Sequence, residues 1–431
     1  MSGMNKVSKL YIEAVLESGI QKAQSNLLFT RKTELNAESG NISLLRTTED
    51  VSLSLTGITE GRKGSVSINK TDRNSIEKSI AELVEIIDAG QADPANEIAE
   101  FQQSEEFSRG SEEPDMDLMY TRLNAFLQRS SSRYPNLLLE QVILDHTARY
   151  RFFNNSNGVD FTSMRGAYNL MVMFTSKDGS NTSSFNYAAV SFPDLSEELH
   201  LAGGLDRLMQ QSTEQTETQM IEGSFVGDVI ITPECMGGFV HTLTGYLGDH
   251  SLVTQVSIYK DMLGEIIADE RLSLHSRPVS DELAGGYFFT SDGFKAGNST
   301  IIDRGVLKTF LLSLYGSLKT GGSRAVNSGG NYMIDPGDTD FSEMVKSVKK
   351  GILLCRFSGG NPSSSGEFSG VAKNSYYIEN GVVKYPVSET MIAGNIKDLL
   401  NSVKHISKQT VNDGNSVFPW ITFSGVTVSG K

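Results

Sequence analysis

Thr232-Pro233-Glu234-Cys235-Met236-Gly237-Gly238-Phe239-Val240-His241-Thr242-Leu243-Thr244-Gly245-Tyr246-Leu247-Gly248 reads as a short helix with a defined start. Thr232 can cap it, Pro233 suits the first helical position, and Glu234 sits in the positive first turn. Met236, Phe239, Val240, Leu243 and Leu247 recur at helical spacing and form an apolar stripe. Gly238, His241, Gly245 and Gly248 fall on another, narrow face. Each interior glycine costs about 1 kcal/mol relative to alanine. A helix with several on one side lets something approach its backbone closely. His241 is the functional side chain of that face.

Upstream, residues 226–231 form an apolar strand running into the helix. Downstream, 254–258 and 272–274 read as strands. Two look-alike hairpins follow at 300–308 and 377–384, each with β-branched residues meeting a turn that ends in glycine. Between them, 320–331 is glycine-rich, but it lacks the lysine of a phosphate-binding loop and reads as a close-packed loop. Residues 342–351 and 395–405 read as helices. The strand 421–428 carries a bulge at Gly425.

The first half begins with a helix over 5–23. Residues 26–69 alternate as short strands at 27–29, 42–44, 51–55 and 66–68, an antiparallel meander that needs a helix on one face. A helix over 72–90 supplies one. Residues 93–117 are acidic and apolar-poor and read as a solvated loop. Helix at 118–127 and strand at 136–144 follow. Hairpins are signalled at Asn154-Asn155-Ser156-Asn157-Gly158 and Ser176-Lys177-Asp178-Gly179. Residues 196–220 read as a polar helix. The expected fold class is α+β with two domains. An N-terminal antiparallel sheet flanked by helices occupies 1–192, a helical linker 193–222, and a β-rich domain carrying the motif helix 223–431.

Composition narrows the function. The chain has 431 residues, 38% hydrophobic and 21% charged, and a formal net charge of −14. That balance suits a globular protein, and no basic stripe marks a nucleic-acid binder. Cys235 and Cys355 cannot build a disulfide framework and fit a reducing cytoplasm. The run from Met1 to Lys6 lacks the apolar core of a signal peptide. No stretch reaches the ~18 apolar residues of a membrane span.

The motif helix resembles that of the TldD/PmbA family, called modulators of DNA gyrase and regarded as peptidases. Metal-binding members carry His-Glu-x-x-x-His where this chain has His241-Thr242-Leu243-Thr244-Gly245-Tyr246. The pattern is closest to the metal-free PmbA/TldE-type subunit. Further resemblances lie at Thr290-Ser291-Asp292-Gly293, Ser363-Ser364-Ser365-Gly366-Glu367-Phe368-Ser369-Gly370, Ile378-Glu379-Asn380-Gly381 and Met391-Ile392-Ala393-Gly394-Asn395. The family's C-terminal cysteine ligand has no counterpart in Gln409-Thr410-Val411-Asn412-Asp413-Gly414.

A metallopeptidase needs three protein ligands, a bound water and a base. His241 offers one imidazole. Thr242 is no base near neutral pH, and Tyr246 is a poor zinc ligand. On a straight helix positions five apart also lie about 140° apart. Cys235, His241 and His250 make no better set, because His241 and His250 would face opposite ways on a continuing helix. No G-x-S-x-G elbow or recognisable triad context is present. The sequence therefore predicts no catalytic or metal residues and no cofactor, with Gly238, His241, Thr242, Gly245 and Tyr246 contacting substrate or partner. By the resemblance, the chain would be a non-catalytic cytoplasmic subunit. It would pair with a TldD-like zinc subunit, or with itself, around extended peptide. The alternatives are a stand-alone peptide-binding or gyrase-modulating homodimer, and an independent peptidase with an unrecognised site.

Overall fold

The computed structural model describes residues 2–70, 72–360 and 362–431, with side chains from Asn5 onward. Met1, the first residue of the N-terminal run read above, lies outside them. Among the described residues the strands form an eight-stranded and a fourteen-stranded sheet, and helices pack on them, so the fold is α+β.

The first sheet comprises β1 (Lys22–Glu38), β2 (Asn41–Thr59), β3 (Arg62–Ile68), β4 (Glu105–Arg109), β5 (Leu137–Asn155), β6 (Asp160–Asp178), β7 (Asn181–Thr182) and β8 (Asn186–Phe192). Its order is β3-β2-β1-β5-β6-β4, and β7 and β8 also pair with β6. Period-two alternation puts Leu27 and Leu35 of β1, Val142 and Phe152 of β5, and Leu170 and Val172 of β6 on one buried face. Helices α1 (Ser2–Glu17) and α2 (Arg73–Ala89) cover one end of that face. Helices α3 (Met116–Arg133) and α4 (Leu205–Glu214) cover the other. Asp72 and Asp115 cap α2 and α3, accepting from Ser75 N at 3.0 Å and Leu118 N at 2.9 Å.

The meander forms as expected, but from three long strands rather than four short ones. The polar run around Lys32 and Glu34 breaks the hydrophobic alternation without ending β1, because β2 and β5 hydrogen-bond it from both sides. Lys32 Nζ and Arg46 Nε meet the buried Glu34 carboxylate at 2.7 and 2.5 Å. The expected loop over 93–117 is also corrected. It contains β4, which runs parallel to β6 with Glu105 opposite Phe161. Its Phe107 points inward among otherwise polar and charged residues. The predicted helix over 196–220 is shorter, with a 3-10 turn at Leu199–Gly204 preceding α4.

The second sheet contains β9 (Gln219–Met220), β10 (Ser224–Ile231), β11 (Leu274–Ser276), β12 (Ser299–Asp303), β13 (Val306–Leu307), β14 (Tyr332–Ile334) and β15 (Lys350–Leu354). It continues with β16 (Arg356–Gly359), β17 (Glu367–Lys373), β18 (Tyr376–Glu379), β19 (Val382–Ser388), β20 (Thr390–Asn395), β21 (Val403–Asn412) and β22 (Val417–Ser429). Helices α5 (Pro233–Tyr246), α6 (Asp249–Val253), α7 (Leu314–Thr320), α8 (Phe341–Ser347) and α9 (Ile396–Asn401) accompany it. β22 is its spine, pairing with β10, β14, β20 and β21. The bulge expected at Gly425 is present: its φ is +77° and the β10–β22 register shifts there. Both look-alike hairpins form as β12–β13 and β18–β19. Residues 254–258, read as a strand, instead turn after α6. Gln255 adopts φ +61°, which no strand tolerates.

The back of the first sheet docks on the second through aromatic rings. Phe107 stacks on Phe288 at 5.2 Å, and Phe153 and Phe161 meet Phe289 at 6.1 and 5.4 Å. Arg151 crosses the same contact. It donates to Phe289 O at 2.9 Å and Asn26 Oδ1 at 2.8 Å, and sits 4.5 Å over the Phe289 ring. Burial pushes its guanidinium down to about 10. Phe289→Ala would empty the centre of this cluster. We expect a loss of about 3–5 kcal/mol, read as a lower urea midpoint. A shift below about 1 kcal/mol would mean the rings do not hold the sheets together.

Candidate functional site

The end of β10 sets where α5 begins. Thr232 N donates to Leu354 O on β15 at 3.0 Å, so the helix starts where the parallel β10–β15 pair stops. Pro233 occupies the first turn as expected. The expected Thr232 cap is corrected. Among the described residues its hydroxyl is buried without a partner, and its backbone carbonyl instead accepts from Cys235 N and Met236 N, each at 3.0 Å. Glu234 is paired with Arg207 of α4, whose guanidinium lies 4.8 Å over the Trp420 ring. One helix of the first half thus holds the start of α5.

Met236, Val240, Leu243 and Leu247 are buried in the core of the second sheet. Phe239 packs half-buried against Phe357 and Phe368, with ring centroids 5.5 and 5.6 Å away. The opposite side of α5 is open. Gly238, His241 and Gly245 are exposed. A methyl group built on Gly238 or Gly245 would meet nothing within 4 Å. Among the described residues the glycines relieve no crowding. Among the described residues the His241 imidazole has no hydrogen-bond partner.

The remaining two residues sit differently. Thr242 is half-buried at the border between the faces. Tyr246 turns inward. Its hydroxyl donates to Ser363 O at 2.7 Å, its ring meets Tyr259 edge-on at 6.2 Å, and burial raises its phenol above the usual range. The helix rotation that separates it from His241 places it under the surface.

Gly238, His241 and Thr242 line a groove of about 470 Å³. Gly245 lies on the same exposed face beyond that lining. The facing wall is β16 and the residues after it, Arg356, Phe357, Ser358, Gly359 and Gly360, with Phe368 beneath. β16 pairs only with β17 among the described residues, so no strand covers its other edge, where the Cys235 thiol meets the Phe357 backbone N–H. Tyr187 of β8 closes one end, so the first sheet contributes to the groove. Sequence reasoning missed Tyr187 and Arg356. The available signal at Tyr187 was an aromatic at the outward position of an alternating strand; Arg356 carried none.

Metal chemistry needs converging donors. Cys235 is buried, and burial pushes its thiol up to about 12, so it is protonated at neutral pH. His250 lies exposed on the separate helix α6. Tyr246 has committed its hydroxyl. Among the described residues no three His, Cys, Asp or Glu side chains gather as a ligand set. The residues around His241 do not fit a hydrolytic zinc.

A family model described as the PmbA/TldA metallopeptidase C-terminal domain matches residues 224–430, and one described as PmbA/TldA metallopeptidase domain 1 matches 28–87. The zinc metalloprotease TldD homolog of Saccharolobus solfataricus is 30% identical over 194 residues, 42% of this chain and 43% of that protein. The metalloprotease PmbA of Escherichia coli O157:H7 is 27% identical over 205 residues, 46% of this chain and 45% of that protein. The matched stretch thus spans less than half the length of these curated relatives. The crystal structure of TldE from Thermococcus kodakarensis superposes with a TM-score of 0.85 at 18% identity, covering 98% of this chain and 100% of that one. At that identity the likeness speaks to the fold. Both matched models belong to one family, and one of them contains α5 and the groove walls of the second sheet: the chain belongs to the PmbA/TldD metallopeptidase family.

Proposed function

We propose that this chain is the non-catalytic, PmbA/TldE-like subunit of a TldD/TldE-type metallopeptidase complex acting on unfolded peptide. It supplies the shape that holds an extended peptide, and a TldD-like zinc subunit supplies the ion. The observation that carries this reading is the open side of α5. Among the described residues its glycines relieve no internal contact, it borders a groove, and His241 is the one potential ligand it offers. The open edge of β16 across the groove can hydrogen-bond an extended main chain without demanding a particular sequence.

The glycines give a test in which stability and function move oppositely. Both have helical backbone and free space for a methyl group. Gly238→Ala and Gly245→Ala should each stabilise the isolated chain by about 0.5–1 kcal/mol, seen as a higher melting temperature. The same variants should weaken capture of unstructured peptide or of the zinc subunit. Stabilised variants with undiminished capture would remove the argument from the open face.

Metal analysis of the purified chain should give substoichiometric zinc and no peptide cleavage. Cleavage should appear on mixing with a TldD-like subunit bearing His-Glu-x-x-x-His and survive His241→Ala in this chain. Thr242→Glu combined with Tyr246→His should restore neither zinc nor activity, since Tyr246 points away from His241. Stoichiometric zinc with cleavage by the chain alone would favour an independent peptidase.

A further inference from the structure

The end of the groove nearest the first sheet carries uncompensated positive charge. Arg356 opens β16. Its Nη1 donates to Phe185 O at 2.9 Å and its guanidinium lies 4.8 Å over the Tyr187 ring. These contacts brace it against the edge of the first sheet while it lines the groove. A guanidinium has five N–H donors, and this carbonyl takes only one. Directly opposite on the neighbouring strand stands Lys373, which is exposed. Like charges facing each other across an antiparallel pair repel. Among the described residues neither cation pairs with a carboxylate. Glu234, the acid that lines the groove, is occupied by Arg207. The chain as a whole is strongly acidic, with net charge −14. A groove cation, Arg356, with a second cation across the strand from it, is therefore set against the general field of the molecule.

Resting on the peptide-holding reading above, we propose that Arg356, supported by Lys373 across the strands, is a carboxylate seat. It anchors one end of the bound peptide through that peptide's C-terminal carboxylate or an Asp or Glu side chain. A braced, planar guanidinium can take both oxygens of a carboxylate at once, which fixes position as well as adding affinity. The open edge of β16 begins at the same residue. A peptide paired along that edge would thus have its anchor at the start of the strand, and its position in the groove would be set from there.

The test measures binding of the full chain to three labelled peptides of one Gly/Ala/Ser octamer sequence. The first has a free C-terminal carboxylate. The second is its C-terminal amide. The third is the amide with one internal glutamate. At low salt the first or third should bind about tenfold more tightly than the plain amide. Which of them does so identifies whether the terminus or a side chain is read. Arg356→Gln should abolish that preference, so that all three peptides bind the variant with equal affinity. Arg356→Lys should recover part of it, and Lys373→Gln should reduce it. Equal binding of all three peptides to the unaltered chain would overturn the carboxylate seat and leave the peptide groove standing. No binding of any of them would overturn both.

Discussion

The packing of one side of α5 into the core around β22 fixes the rest of the site. Met236, Val240, Leu243 and Leu247 recur at the helical period and are all buried. Once they are buried, rotation about the helix axis is settled. Gly238, His241 and Gly245 must then face outward, Thr242 must lie at the border, and Tyr246 must turn under. No adjustment of a single side chain can bring Tyr246 beside His241, because its hydroxyl is held by Ser363 O and its ring by Tyr259. The chemistry available on the open face follows from what is buried on the other.

That helix belongs to the second sheet, yet the groove beside it does not belong to that sheet alone. Arg207 of α4 holds Glu234 at the first turn of α5, and Tyr187 of β8 forms one wall. One comes from a helix packed on the first sheet, the other from a strand of that sheet. The aromatic contact around Phe289, crossed by the buried Arg151, sets how the two sheets meet. Arg151 is buried against carbonyls and a ring rather than a carboxylate. Such an arrangement tolerates displacement poorly, since a shifted carbonyl leaves a buried cation unsatisfied.

Local signals were legible in the sequence. The turns Asp303-Arg304-Gly305 and Glu379-Asn380-Gly381 placed two hairpins, and both turns use left-handed backbone at Arg304, Gly305, Asn380 and Gly381. Gly425 marked a bulge because it interrupts a strand whose neighbours are β-branched. The open face of α5 was legible from its period. What failed was non-local. β4 has one inward apolar residue, Phe107, and exists because β6 lies beside it. Residues 254–258 contain β-branched side chains but have no strand to pair with, so propensity lost to the turn. Tyr187 and Arg356 are 169 positions apart, and nothing in either segment points to the other; only the docking of the two sheets joins them.

Two properties of α5 are separate. One is a donor set; the other is a backbone that something can approach. Among the described residues His241 is the one donor on the open face, while Gly238 and Gly245 are exposed at a cost of about 1 kcal/mol each in helix stability. Had the face only to be soluble, alanine or a charged residue would serve it better in an isolated chain. The glycines make physical sense if the approaching group comes from outside the chain and needs the main chain of α5 within contact distance. An extended peptide lying between α5 and the free edge of β16 meets that condition, because its own backbone is the part that must come close on both sides.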